Sequence, residues 1–146
     1  MSETDTPFLT AYQGYLRNLL NWSDLDRLWE QLRTHTDKRW YIYAVGETPP
    51  DTHSSGSALE KFISEIDALL SKEHDEDYCG IVYVDQPEDP GFIKIYDPNN
   101  LGSVCGSSHG PPTLPGWILS LMPPEDLEHA LPQPGNRRRW WQQLFA

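Results

Sequence analysis

Two short β-prone runs on either side of a proline-bounded turn constrain this chain more than any other feature. Tyr78-Cys79-Gly80-Ile81-Val82-Tyr83-Val84-Asp85 is followed by Gln86-Pro87-Glu88-Asp89-Pro90-Gly91 and then by Phe92-Ile93-Lys94-Ile95-Tyr96-Asp97. β-Branched and aromatic runs flanking proline and glycine predict a hairpin. Antiparallel pairing sets Asp85 near Phe92 and Asp97 near Cys79.

The segment best suited to cover that hairpin carries Phe62, Ile63, Ile66, Leu69 and Leu70, an apolar stripe at helical spacing. Ser57 followed by Glu60 matches a reciprocal capping pattern at its start. The acidic run from Glu73 to Asp77 falls at the negative end of the helix dipole and helps to end it. Nearer the N-terminus, Phe8, Tyr12, Tyr15, Leu16, Leu19 and Leu20 predict a first helix containing Gly14. Leu25, Leu28, Trp29 and Leu32 predict a second, with Ser23 as its N-cap. Residues from Lys38 to Val45 predict a strand with both faces apolar, and Gly46 to Gly56 a mobile loop. Trp117 to Met122 reads as a short edge strand closed by Pro123-Pro124, and Pro124 to His129 as a short helix.

The order is therefore α-α-β-α-β-β-β with a C-terminal tail. It predicts an α+β fold with an antiparallel or mixed sheet of about four strands and helices mainly on one face. A length of 146 residues fits one domain, assigned to residues 1–135, with residues 136–146 as a basic and aromatic tail.

The formal charge of -11 comes from 22 acidic against 11 basic residues. Because Arg137, Arg138 and Arg139 lie beyond the last acidic residue, Glu128, the body is more acidic still. Such a body repels nucleic acid and anionic membrane, and favours a basic protein partner. Met1 to Pro7 has neither a charged n-region nor an apolar h-region, and no later run reaches the length of a membrane span, so the expected location is cytoplasmic. The 2 cysteines are too few for a disulfide framework or a four-thiolate zinc site.

Chemically distinctive residues gather after the hairpin, in the loop from Asn99 to Gly110. Cys105 and His109 are four residues apart, and contact between thiol and imidazole would activate the sulfur for nucleophilic catalysis. Hairpin pairing would bring Cys79 and Asp97 to the end of the sheet where this loop begins, so Cys79, Asp97, Cys105 and His109 form the mixed ligand set that a metal would use. Neither arrangement carries a CxxC or HxxxH pair. Asp97, Asn99 and Asn100 are also turn-forming polar residues suited to binding. His53 and His74 sit in polar surroundings and read as solvated.

In the tail, Arg137, Arg138, Arg139, Trp140 and Trp141 are the residue types that anchor protein interfaces. The expected function is thus a noncatalytic cytoplasmic protein-binding or assembly-accessory protein with an acidic surface and no cofactor. The alternatives are a small thiol-dependent enzyme or redox protein using Cys105 and His109, and a metal-binding module. Attraction of the arginines to the acidic body, together with burial of the indoles, predicts that the tail docks on its own chain or, in a homodimer, on a second copy. Docking leaves Arg137 to Arg139 resistant to trypsin, whereas rapid cleavage there without added partner excludes it.

Overall fold

The computed structural model describes residues 6–35, 37–73, 79–98 and 114–127. Three helices, α1 (Pro7–Gln13), α2 (Trp22–Thr34) and α3 (Gly56–Glu73), accompany five strands, β1 (Arg17–Asn18), β2 (Tyr41–Ala44), β3 (Val82–Val84), β4 (Phe92–Ile95) and β5 (Trp117–Ser120). The strands make one antiparallel sheet in the order β1-β3-β4-β5-β2. The fold is α+β, as expected, with five strands rather than four. Among the described residues no helix is long and apolar enough to cross a membrane.

The hairpin forms in the expected register, with Val84 opposite Ile93 and Val82 opposite Ile95. Its turn is organised by Asp85, whose Oδ1 accepts from the backbone N–H groups of Gln86 (2.8 Å), Gly91 (2.9 Å) and Phe92 (3.1 Å). Gly91 permits this approach, since a Cβ there would lie 3.1 Å from Asp85 Oδ2. Strand β3 is shorter than the run that predicted it because Gly80 takes φ +74°, a left-handed conformation that interrupts extended backbone.

The two sides of the sheet carry separate cores. Val82, Val84, Ile93, Ile95 and Leu119 face α2 and α3, which contribute Leu25, Leu28, Trp29 and Leu32, and Leu59, Ile63, Ile66 and Leu70. Phe92, Ile118 and Tyr43 face the other way, toward Phe8 and Leu9 of α1 and toward Leu127. The Trp29 indole N–H donates to Asp67 Oδ1 at 3.0 Å and ties α2 to α3. Across the sheet, the Thr6 hydroxyl donates to the Glu125 carboxylate, and the Leu127 N–H donates to the Tyr43 hydroxyl at 3.1 Å.

Several local expectations are corrected. The apolar spacing from Phe8 to Leu20 is not one helix: α1 ends after Gln13, and the chain passes the sheet edge as β1. Phe8 and Leu9 enter one core and Leu19 the other, while Leu20 is 56% exposed. Backbone demand decides this outcome, because Leu19 N–H donates to Val82 O and the N–H groups of Gly80 and Cys79 donate to the Leu19 and Leu20 carbonyls. β5 is no edge strand either, since it lies between β4 and β2 with Ile118, Leu119 and Ser120 fully buried. Helix α2 begins at Trp22 after Asn21, ahead of Ser23. Helix α3 is capped by Ser55 rather than Ser57: Ser55 Oγ accepts from the Ala58 N–H at 3.2 Å.

Ile66 lies in the stripe of α3 that faces β3 and β4, at 4% exposure. Ile66→Ala should therefore lower unfolding free energy by about 2 to 5 kcal/mol in urea titration. A near-neutral result would mean that this helix face is not packed on the sheet.

Candidate functional site

Of the residues picked out by their chemistry, Cys79 and Asp97 are described, whereas Asn99, Asn100, Cys105, His109 and the tail residues Arg137, Arg138, Arg139, Trp140 and Trp141 lie outside the described residues. Cys79 is fully buried in the core beneath α2 and α3. Burial pushes its thiol up, away from the thiolate that a nucleophile or metal ligand requires. Extending the hairpin register sets Asp97 level with Gly80, beside Cys79 in the chain. On its other side Asp97 packs over Gly116, where an added Cβ would come within 3.2 Å of the Asp97 Cβ.

A second polar group lies on the α1 side of the sheet. Asn18, Tyr83 and Lys94 form a cross-strand row, and Asn18 Nδ2 donates to the Tyr83 hydroxyl at 3.2 Å. The Lys94 ammonium sits 4.4 Å from the centre of the Tyr12 ring and 5.8 Å from that of Tyr83. No carboxylate pairs with it among the described residues, and burial pulls its pKa down. The tyrosine faces supply the negative potential that a carboxylate would otherwise provide. Tyr12 and Tyr96 have hydroxyls pushed up, chiefly by the same burial and further by neighbouring phenols.

A recess that combines charge with depth lies elsewhere, where the end of α2, the segment leading into β2 and the start of α3 meet. This cleft has a volume of about 620 Å³. Leu32, Trp40, Leu59 and Ile63 give it an apolar floor, while Arg33, Lys38, Arg39, His35 and His53 bring cationic or imidazole groups to its rim beside the carboxylates of Asp37 and Glu60. The loop ahead of α3 is held in place by the Ser54 N–H, which donates to the Trp40 carbonyl at 2.8 Å, and by His53 standing edge-on to Tyr41 with ring centres 6.3 Å apart.

Charge within the cleft is partly spent on the fold. Arg33 Nε is 2.8 Å from Glu60 Oε2, joining α2 to α3. Lys38 Nζ donates to Asp89 Oδ1 at 2.6 Å and to the Pro90 carbonyl at 2.7 Å, anchoring the hairpin turn, and its ammonium holds the Asp89 carboxyl below the usual range. Arg39 makes no ion pair among the described residues. Trp40 is 1% exposed, and its indole N–H has no hydrogen-bond acceptor among the described residues.

These features define a small antiparallel α+β protein with a preformed, locally basic cleft on an acidic body. No protein-family model, curated protein or solved structure matches the chain. Sequence reasoning passed over the cleft because its residues are common types split between two segments. One signal was present: Arg33, His35, Lys38 and Arg39 fall within a few residues of one another in a chain of net charge -11.

The Lys94 row makes a prediction of its own. A half-buried cation without an anionic partner costs folding energy, so Lys94→Met should be neutral or stabilising by about 1 kcal/mol at pH 7. Lys94 binds its proton less tightly in the folded chain than in the unfolded one. The wild-type protein therefore recovers stability as pH rises from the lowered Lys94 value toward the ordinary lysine range. The advantage of Lys94→Met in thermal unfolding should shrink over that interval. An advantage for wild type at pH 7 would show that the tyrosine contacts outweigh the burial.

Proposed function

We propose that the chain is a noncatalytic, cytoplasmic protein-binding or assembly-accessory protein that recognises its partner through the cleft between α2 and α3. The observation that carries this reading is the cleft itself: a recess of about 620 Å³ with an apolar floor and a rim where Arg33, Lys38 and Arg39 outnumber Asp37 and Glu60. That size and lining suit a few anchoring groups of a ligand. Supporting it, the cleft sets apolar side chains beside basic ones, and the one described cysteine is sealed in the core. The net charge of -11 selects against polyanions such as nucleic acid and in favour of a partner that is neutral or basic around the group it inserts.

Arg39→Glu provides the test, because the side chain is exposed and free of ion pairs among the described residues, so its replacement leaves the fold intact. Glu65→Lys, on the exposed side of α3, serves as the control. A partner captured from the native organism, then purified and titrated against each protein, should bind Arg39→Glu about tenfold or more weakly and bind Glu65→Lys at near wild-type strength. Equal affinity for all three proteins would remove the cleft as the recognition site.

A further inference from the structure

The sheet has β1 and β2 at its two outer edges, and the edges differ. β1 is two residues long and carries the charge of Arg17. β2 runs Tyr41-Ile42-Tyr43-Ala44 without a charge or a proline, the features that commonly guard an edge against an added strand. The Val45 N–H donates to the Gly116 carbonyl at 2.9 Å, in register with the ladder to β5. Backbone groups alternate sides along an antiparallel strand, so Tyr41, Tyr43 and Val45 turn theirs to β5, while Trp40, Ile42 and Ala44 turn theirs outward.

The chain itself uses the two ends of that outward row. The Trp40 carbonyl accepts from the Ser54 N–H at 2.8 Å, and the Ala44 carbonyl from the Glu47 N–H at 3.0 Å. Between them, the N–H and C=O of Ile42 and the N–H of Ala44 have no partner among the described residues, and both residues are only half-buried. Charge gives a second, independent observation. Arg39 precedes the strand and Glu47 follows it, both exposed and neither in an ion pair among the described residues. The open edge is thus positive at one end and negative at the other. It is also continuous with the cleft, since Arg39, Trp40 and Ser54 line that recess.

Resting on the reading of the cleft as the recognition site, we infer that the partner contributes an extended segment that adds to β2 as an antiparallel strand, with a basic residue at Glu47, an apolar one beside Ile42 and an acidic one at Arg39. Extended backbone presents an acceptor, a donor and a second acceptor at the spacing of this row. Ile42 packs against the core under α2 and α3 while staying partly exposed, so an apolar residue opposite it completes a cross-strand pair. A second copy of this chain fits less well. Two β2 strands about a two-fold axis would set each Ala44 N–H against a Trp40 carbonyl, or each Ile42 N–H against an Ala44 carbonyl, and both carbonyls are already engaged.

The experiment uses the full ¹⁵N-labelled chain and a heptapeptide capped at both ends, with lysine first, valine fourth, glutamate last and threonine or serine between. It should shift the Ile42 and Ala44 N–H signals saturably. The same peptide N-methylated at the valine nitrogen loses its donor to the Ile42 carbonyl and should bind about tenfold or more weakly. Exchanging the lysine and the glutamate should weaken binding by about threefold or more. Ala44→Pro removes an outward N–H at an edge position, where proline is tolerated, and should weaken the peptide by about threefold or more, whereas Ala44→Ser should leave it unchanged. The peptide variants decide the matter even if Ala44→Pro fails to fold. Equal binding of the N-methylated peptide would overturn strand addition, and tighter binding of the charge-exchanged one would overturn its direction. A dimer in sedimentation that Ala44→Pro converts to monomer would give the edge to a second copy instead. Unmoved Ile42 and Ala44 signals, with the peptide and with a purified partner whose binding Arg39→Glu still weakens, would sink this inference and spare the cleft.

Discussion

The insertion of β5 between β4 and β2 is the pairing on which the rest of the structure depends. Ser120 stands opposite Phe92 on one side and Tyr41 on the other, and Leu119 likewise joins Ile93 to Ile42. Without β5, the hairpin and β2 share no ladder. The strand is buried on both faces: Leu119 enters the core under α2 and α3, and Ile118 the core under α1. Ser120 is the polar exception, and its hydroxyl is satisfied by the Met122 carbonyl at 2.6 Å. Because β2 follows directly from Trp40, the wall of the cleft is fixed only when this last strand is in place. The cleft is thus a product of long-range pairing, although most of its residues lie close in the chain.

Much of this architecture was legible locally. The hairpin register follows from Asp85 and the run from Phe92, and the stripe of Ile63, Ile66 and Leu70 faces the sheet as its spacing requires. What failed were features decided by backbone pairing rather than by side-chain periodicity. Leu16, Leu19 and Leu20 sit at helical spacing from Phe8 and Tyr12, yet β3 and the residues leading into it take the backbone of Leu19 and Leu20 as a partner. An apolar pattern cannot distinguish a helix that continues from a chain that crosses a sheet edge and feeds a second core. Similarly, the short run from Trp117 to Met122, closed by Pro123-Pro124, reads as an edge, and only the full strand order shows that both sides of β5 are paired.

The site was less legible than the fold, for a related reason. Reactive residue types drew attention to Cys79, where burial suppresses the reactivity that made the type notable. The cleft, by contrast, is assembled from arginine, lysine, histidine, serine and aliphatic residues whose ordinary role is solvated surface or core. Arg33 and Glu60 are far apart in sequence and meet only after α2 and α3 pack. His53, which reads as a solvated loop residue, reaches the rim because Ser54 bonds back to Trp40. The excess of acidic residues over the whole chain further obscured the basic cluster between Arg33 and Arg39.

Arg39 and Lys94 show why the position of a cation matters more here than the net charge. Both lack an ion pair among the described residues of a strongly acidic protein. Lys94 is set among tyrosine rings, where loss of hydration is offset by the aromatic faces and the proton is held less firmly. Arg39 is exposed, so water stabilises its charge. At physiological salt the screening length is about 8 Å, which weakens the opposing field of distant carboxylates inside the cleft more than it weakens direct contact. A small group in contact with Arg39 would therefore experience the local charge, whereas an extended polyanion would experience the whole acidic body. Net charge and local charge thus act at different ranges: the acidic body disfavours an extended polyanion whatever the few basic residues of the cleft would attract alone.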